Sequence, residues 1–293
     1  MIKNNLALCC FGVGIATLTS ASPYLIGNSI NLYLANESLY LYALAGASFL
    51  LIATPPLKLA ANIYLQKTAS KTRFILKKAI LNHLLDRSFE HTQKPGERIE
   101  LIDGDVDGSI YLYHSIYLDV SLNCSIIIGA LLMTAHYHPL LALAPLSGLV
   151  YAIAIYILNR KNSNSLFAEY VQENTATIGA ICELLLNAKP YTNRIKIDIK
   201  NIERLAFRSS LKATTFESMS GTCYPVAIVV LLLVSAHLLS VGETNIGSIF
   251  ASAIYLERVL SPTMSLISIY YSSREASYRR SRIRSYELQH EGH

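Results

Sequence analysis

Four long stretches without a charged side chain constrain this sequence more than anything else in it. Asn4–Asn36 runs for 33 residues without Asp, Glu, Lys or Arg, Ser38–Leu57 for 20, Val120–Asn159 for 40 and Ser218–Gly242 for 25. A helix that crosses a bilayer needs about 20 mainly apolar residues. The four runs therefore hold five crossings, because the 40-residue run is long enough for two. Only 15% of the chain is charged, against about 25% in an ordinary soluble domain. A water-soluble enzyme is excluded, and a multi-pass membrane protein is expected.

The net charge of +5 could suggest nucleic acid as a partner, but the basic residues are too sharply segregated for that. None falls between Lys3 and Lys58, between Arg98 and Arg160, or between Lys212 and Arg258. Nine lie in Lys58–Asp119 and nine in Arg160–Thr222. Most of the remainder sit in the tail, at Arg274, Arg279, Arg280, Arg282 and Arg284. Cytoplasmic segments of membrane proteins are enriched in Lys and Arg, which assigns both polar blocks and both termini to the cytoplasm, most naturally below a plasma (inner) membrane. An even number of crossings follows. The expected six are Leu6–Ile26, Leu39–Leu57, Ile116–His136, Leu140–Leu158, Cys223–Leu239 and Ile246–Tyr271. Their outer links are Gly27–Ser38, a turn at His136–Pro139, and Ser240–Asn245. A rival reading treats Lys3, the apolar stretch from Leu6 and Ser20-Ala21-Ser22 as a cleavable signal peptide. It would leave five crossings and put a basic segment on the wrong face.

The two polar blocks share one plan. Between Leu57 and Lys94 there is no Gly or Pro, and Ile63, Phe74, Ile75, Ala79, Ile80, Leu84 and Leu85 recur at helical spacing. The second crossing is thus expected to continue as an amphipathic helix, break at Lys94-Pro95-Gly96, and return through Arg98–Tyr113. Asn159–Ala188, Pro190-Tyr191-Thr192-Asn193 and Ile195–Ser218 repeat this pattern. The fold class expected is all-α and polytopic: six transmembrane helices and two long cytoplasmic helical hairpins.

That layout, with several short motifs, resembles the transmembrane domain of type 1 ABC exporters. The motifs are Pro23-Tyr24-Leu25-Ile26-Gly27 at the end of the first crossing, Pro95-Gly96-Glu97-Arg98-Ile99 followed by Asp103-Gly104-Asp105-Val106-Asp107, and Ile246-Gly247 with Pro262 and Arg282-Ile283 around the last crossing. The similarity covers residues 1–285, leaving 286–293 as a short tail. It implies an exporter subunit that forms a substrate pathway by alternating access and works as a homo- or heterodimer within the lipid bilayer. No G-x-x-x-x-G-K-[ST] phosphate loop occurs in the sequence. ATP and Mg are accordingly expected on a partner, either an ABC ATPase subunit or a fused ABC half-transporter, with no cofactor held by this chain. The alternative is a degenerate, non-transporting membrane scaffold that regulates a complete transporter.

Candidate residues follow from both lines of reading. Glu257 and Arg258 lie near the middle of the sixth crossing, where charges are expensive and usually face a bundle interior or a watery cavity. With Tyr151, Tyr156, Tyr255 and His237 they form the expected substrate pathway. Pro262, four residues after Arg258, removes a backbone donor and marks a hinge. By the resemblance, the hairpin tips touch the ATPase. Phe89 and Tyr191 are the expected anchors, with Arg87, Glu90 and Arg194 as polar rim. Asp103–Ile110 matches the opening of a calcium-binding EF loop, but its twelfth position is His114 where a bidentate Glu is required. The five cysteines form no C-x-x-C pair and no zinc spacing, so no metal site is expected.

Overall fold

The computed structural model describes residues 2–86, 104, 106–158, 169 and 199–291. Helices dominate them and no strand occurs among them. In chain order they are α1 (Ile2–Leu34), α2 (Tyr40–Asp86), α3 (Val106–Tyr137), a 3-10 turn (Pro139–Ala142) leading into α4 (143–158), α5 (Ile199–Ser220), α6 (Cys223–Val241) and α7 (Ile246–Glu291). Five stretches are long and apolar enough to cross a membrane: Asn5–Leu34, Tyr40–Asn82, His114–Tyr137, Pro139–Leu158 and Ser218–Val241. The expected sixth crossing, Ile246–Tyr271, lies within unbroken helix. Glu257, Arg258 and several serines make it more polar than the other five.

Helix ends depart from the sequence reading in one instructive place. The first crossing was expected to stop at Ile26 and hand over to a link from Gly27. Instead α1 runs two further turns to Leu34, and only residues 35–39 separate it from α2. Leu32 and Leu34 carry the apolar character onward, and Asn31 has a partner that stabilises the extension, described below. Asn36, at φ 58°, makes the turn; asparagine tolerates that left-handed conformation better than most residues. Gly242, at φ 80°, ends α6 in the same way, its N–H directed at the carbonyls of Leu238 and Leu239.

Prolines sit inside three helices without ending them: Pro23 in α1, Pro55 and Pro56 in α2, and Pro262 in α7. Each removes one backbone donor and leaves a carbonyl four residues earlier without its usual partner. Hydroxyls serve the neighbouring carbonyls. Ser22 Oγ donates to Thr19 O at 3.1 Å, the carbonyl freed by Pro23. Thr54 Oγ1 donates to Leu50 O at 2.8 Å just before the proline pair. In hydrocarbon such local repair is what lets a helix survive proline.

The chain forms two compact units. The first comprises Met1–Gln66, His114–Tyr156 and Ser218–Tyr271. Its core has two clusters. In one, Leu8 and Ile15 of α1, Ala61 and Leu65 of α2 and Leu118 of α3 pack together, with Phe11, Tyr64 and Leu122 against them. In the other, Ala130 of α3 meets Ala251, Tyr255 and Val259 of α7, beside Tyr24, Tyr137 and Leu149.

The second unit comprises Lys67–Tyr113, Ile157–Glu217 and Ser272–His293. There Ala69, Leu76 and Ile80 of α2 pack on Val106 and Ile110 of α3. Asp107 is held by Lys77 Nζ at 2.9 Å and Arg73 Nε at 3.3 Å. Arg279 of α7 donates to Gly104 O at 3.0 Å. Its Cδ lies 2.9 Å from the position a Cβ on Gly108 would take. Within this stretch, Asp107 and the Gly104 carbonyl are thus engaged by basic side chains. The other acids of the EF-like run, Asp103 and Asp105, lie outside the described residues.

Candidate functional site in the apolar unit

Within the first unit, α7 is gripped on one side and open on the other. The gripped side begins at its N-terminus, where Gly247 N donates to Asn31 Oδ1 of α1 at 3.0 Å. One of the orphan donors at the start of α7 is therefore capped by a side chain 216 residues away in sequence. The two backbones touch here. A Cβ on Gly247 would collide with Gly27 O and Asn31 Oδ1, and one on Gly27 would lie 2.7 Å from both Gly247 O and Ala251 Cβ. Close approach through small residues is how helices associate where lipid removes the hydrophobic incentive.

Two turns further along, Tyr255 is completely buried, and its hydroxyl donates to Ser20 O at 2.6 Å. Tyr137 of α3 donates to Tyr24 O at 3.2 Å, with the two rings stacked at 5.8 Å. Both carbonyls flank Pro23. Tyrosines from α7 and α3 therefore grip α1 close to Pro23, at carbonyls other than the one the proline frees. Nearby, His138 accepts from Leu140 N through Nδ1 at 3.2 Å. Its Nε2 lies 3.4 Å from Glu243, joining the α3–α4 and α6–α7 links.

On the open side, Phe250, Glu257, Ser261 and Ser268 are exposed. Spacings of seven, four and seven place them on one stripe of α7. Arg258 is half-buried and lies about 100° round the helix from Glu257. Among the described residues neither forms an ion pair. Ser265, on the flank of the same stripe, accepts a 3.1 Å hydrogen bond from Asn123 Nδ2 of α3. Asn123 is buried and also donates to the backbone oxygen of Asp119 at 2.8 Å. Asp119 itself is half-buried inside the third apolar stretch.

The residues expected from the sequence are thus dispersed. Glu257 lies on the open face, whereas Tyr255 is part of the α1–α3–α7 packing. Tyr151 of α4 shares a 3.1 Å hydrogen bond with Thr222 Oγ1. Tyr156 packs edge-on against Tyr270 and Tyr271, at 5.7 and 5.9 Å. His237 is exposed on α6, and Pro262 is buried in α7. Arg87, Phe89, Glu90, Tyr191 and Arg194 lie outside the described residues. Sequence reasoning missed Asn31, Asp119, Asn123 and Ser265. Asp119 falls in line with the polar block that precedes it, and an Asn inside an apolar run carries no mark of its partner. No group of three or more His, Cys, Asp or Glu suited to a metal occurs among the described residues.

A chain whose described residues are helical, with at least five membrane-length apolar helices bound through small residues and interhelical hydroxyls, is a multi-pass membrane protein. Residues 6–264 match the family described as the ABC transporter transmembrane region, and the chain belongs to that family. No curated protein matches it.

Proposed function

We propose that this chain is the pathway-forming subunit of an ATP-driven exporter, working as a dimer with itself or a homologue and coupled to an ABC ATPase on a separate chain. Membership of the ABC transmembrane family carries the reading. In it, both polar blocks and both termini face the cytoplasm of the plasma membrane. Ile246–Tyr271 is the sixth crossing, and the open stripe of α7 faces the pathway, to which the sequence reading adds Tyr151, Tyr156 and His237. ATP favours one of two packings of the same helices, and the difference in binding energy drives alternating access. Arg87, Phe89, Glu90, Tyr191 and Arg194 transmit the movement from hairpin tips to ATPase, and Pro262 is the hinge. ATP and Mg sit on the ATPase, and this chain carries out no catalysis of its own.

Co-purification in native lipid, followed by identification of the bound chains and transport assays in vesicles, tests the proposal. The expected result is a stoichiometric ABC ATPase and ATP-dependent export. Phe89→Ala and Tyr191→Ala should leave the protein folded while ATP hydrolysis no longer drives transport. Association with a complete ABC transporter, without transport that depends on this chain, would establish the scaffold reading instead.

A further inference from the structure

The open stripe of α7 carries a charge in the middle of an apolar unit, and that charge restricts what can lie against it. Glu257 is eleven residues from the start of α7, about 16 Å along the axis at 1.5 Å per residue, which is half a hydrocarbon core. An exposed carboxylate at that depth is too costly to face acyl chains. It faces water or another molecule. A two-fold mate presenting the same stripe would bring a second Glu257 toward the first, and like charges at low dielectric repel unless a cation lies between them.

The remaining side chains give the site its chemistry. Below Glu257 the stripe continues as Ser261 and Ser268, with the half-buried Ser265 on its flank. Asn123 ties Ser265 to α3 and places Asp119, one helical turn further along α3, at the lower end of the same polar track. Among the described residues Asp119 forms no ion pair. Phe250 and Ile254 supply apolar surface above Glu257. Arg258 is the one basic side chain in this part of α7, is half-buried, and lies about 100° round the helix from Glu257, with which it forms no ion pair. Glu257 and Ser265 are eight residues apart, about 12 Å along the helix. The two carboxylates therefore cannot share one metal ion, and no metal-holding group occurs among the described residues.

We propose that the track along Glu257, Ser261, Ser265 and Asp119 binds a hydrophobic organic cation, with Glu257 as its counter-charge and Phe250 and Ile254 against its apolar body. This rests on the reading of the α7 stripe as the transport pathway and names the class of molecule carried there.

The probe is tetraphenylphosphonium, with tetraphenylborate as its anion of matched shape. Saturable binding is measured on the full chain in lipid nanodiscs, with size-exclusion elution and melting temperature as checks of folding. The wild type should bind the cation in preference to the anion. Glu257→Gln should weaken cation binding about tenfold, as expected for losing one partly screened charge contact. Glu257→Asp should keep most of the affinity, and Arg258→Gln should raise it. Cation binding that is absent in wild type, or unchanged in a folded Glu257→Gln protein, would overturn the inference. A separate arm tests the pathway. Ser261→Cys, in a background with the native cysteines replaced, is exposed to a membrane-impermeant thiol reagent. Labelling together with charge-independent binding would remove the cation inference and leave the pathway reading standing. No labelling from either face would remove both.

Discussion

At the scale of single residues, the glycines separate packing from propensity. Gly14 of α1 has nothing within 4 Å of the position its Cβ would take. Gly14→Ala should therefore gain the usual helix-interior preference, about 0.5–1 kcal/mol. Gly247→Ala meets the Gly27 carbonyl and Asn31 Oδ1, and overpacking of that kind costs about 1–3 kcal/mol. The two substitutions are chemically identical, so thermal unfolding in detergent should show opposite shifts. Equal shifts would mean that α1 and α7 do not touch at Gly27 and Gly247. Tyr255→Phe removes only the hydroxyl that donates to Ser20 O. Interhelical hydrogen bonds in membranes average about 0.6 kcal/mol, with a maximum near 1.7. The expected loss is within that range and should persist in a Pro23→Ala background, because the carbonyl freed by Pro23 is that of Thr19 and not of Ser20. No measurable loss in either background would show that α7 and α1 are not joined by this hydrogen bond.

At the scale of elements, the ion pairs of the second unit offer a test that needs no knowledge of the substrate. Asp107 at the start of α3 lies between Arg73 and Lys77, four residues apart on one face of α2. The Asp107 and Lys77 side chains are 37% and 28% exposed, so solvent and salt screen the pair and its worth is no more than about 1 kcal/mol. Asp107→Lys should destabilise by adding repulsion with both bases, and Lys77→Asp in the same chain should recover most of the loss at low salt. The recovery should fade as ionic strength shortens the screening length. If the double reversal is no better than Asp107→Lys alone, α2 and α3 are not joined at this point.

The same elements show how far the sequence could be read. Uncharged runs located α1, α2, α3, α4 and α6, because burial in lipid is a property of composition. The apolar spacing from Ile63 onward correctly extended α2, whose described part reaches Asp86. The final two turns of α1 were missed because Gly27 resembles a helix stop. What overrides it is Asn31 meeting Gly247 in the folded unit. Tyr255 illustrates the limit at the site. A tyrosine inside a span is equally compatible with lining a cavity or bonding a carbonyl, and only the position of Ser20, 235 residues earlier, decides. Glu257 stands out in the sequence because a charge eleven residues into a largely apolar stretch of helix is conspicuous whatever packs round it. Asn123 and Ser265 were not, since neither is unusual until the two are side by side.

For the whole molecule, the decisive question is whether α7 crosses the membrane. Five apolar stretches alone would place the chain's two ends on opposite faces. A sixth crossing through Ile246–Tyr271 returns the end to the face where the chain begins and puts the basic tail there with both basic blocks, as the distribution of Lys and Arg demands. The physical difficulty is Glu257 and Arg258, which make this stretch too polar to sit alone in lipid. Packing supplies the resolution. Ala251, Tyr255, Leu256, Val259 and Leu260 are all buried, so much of α7 packs within the unit and Glu257 lies on a narrow open stripe. Single cysteines, introduced in place of Asn36, His138 and Thr244 in a background with the native cysteines replaced, should react with an impermeant reagent from one face. Lys71→Cys, Arg208→Cys and Arg280→Cys should react only from the other. Arg280 is the discriminating position. If it labels with His138 rather than Lys71, α7 does not cross, the crossings number five, and Glu257 lies outside the hydrocarbon, where its charge needs no counter-ion at all.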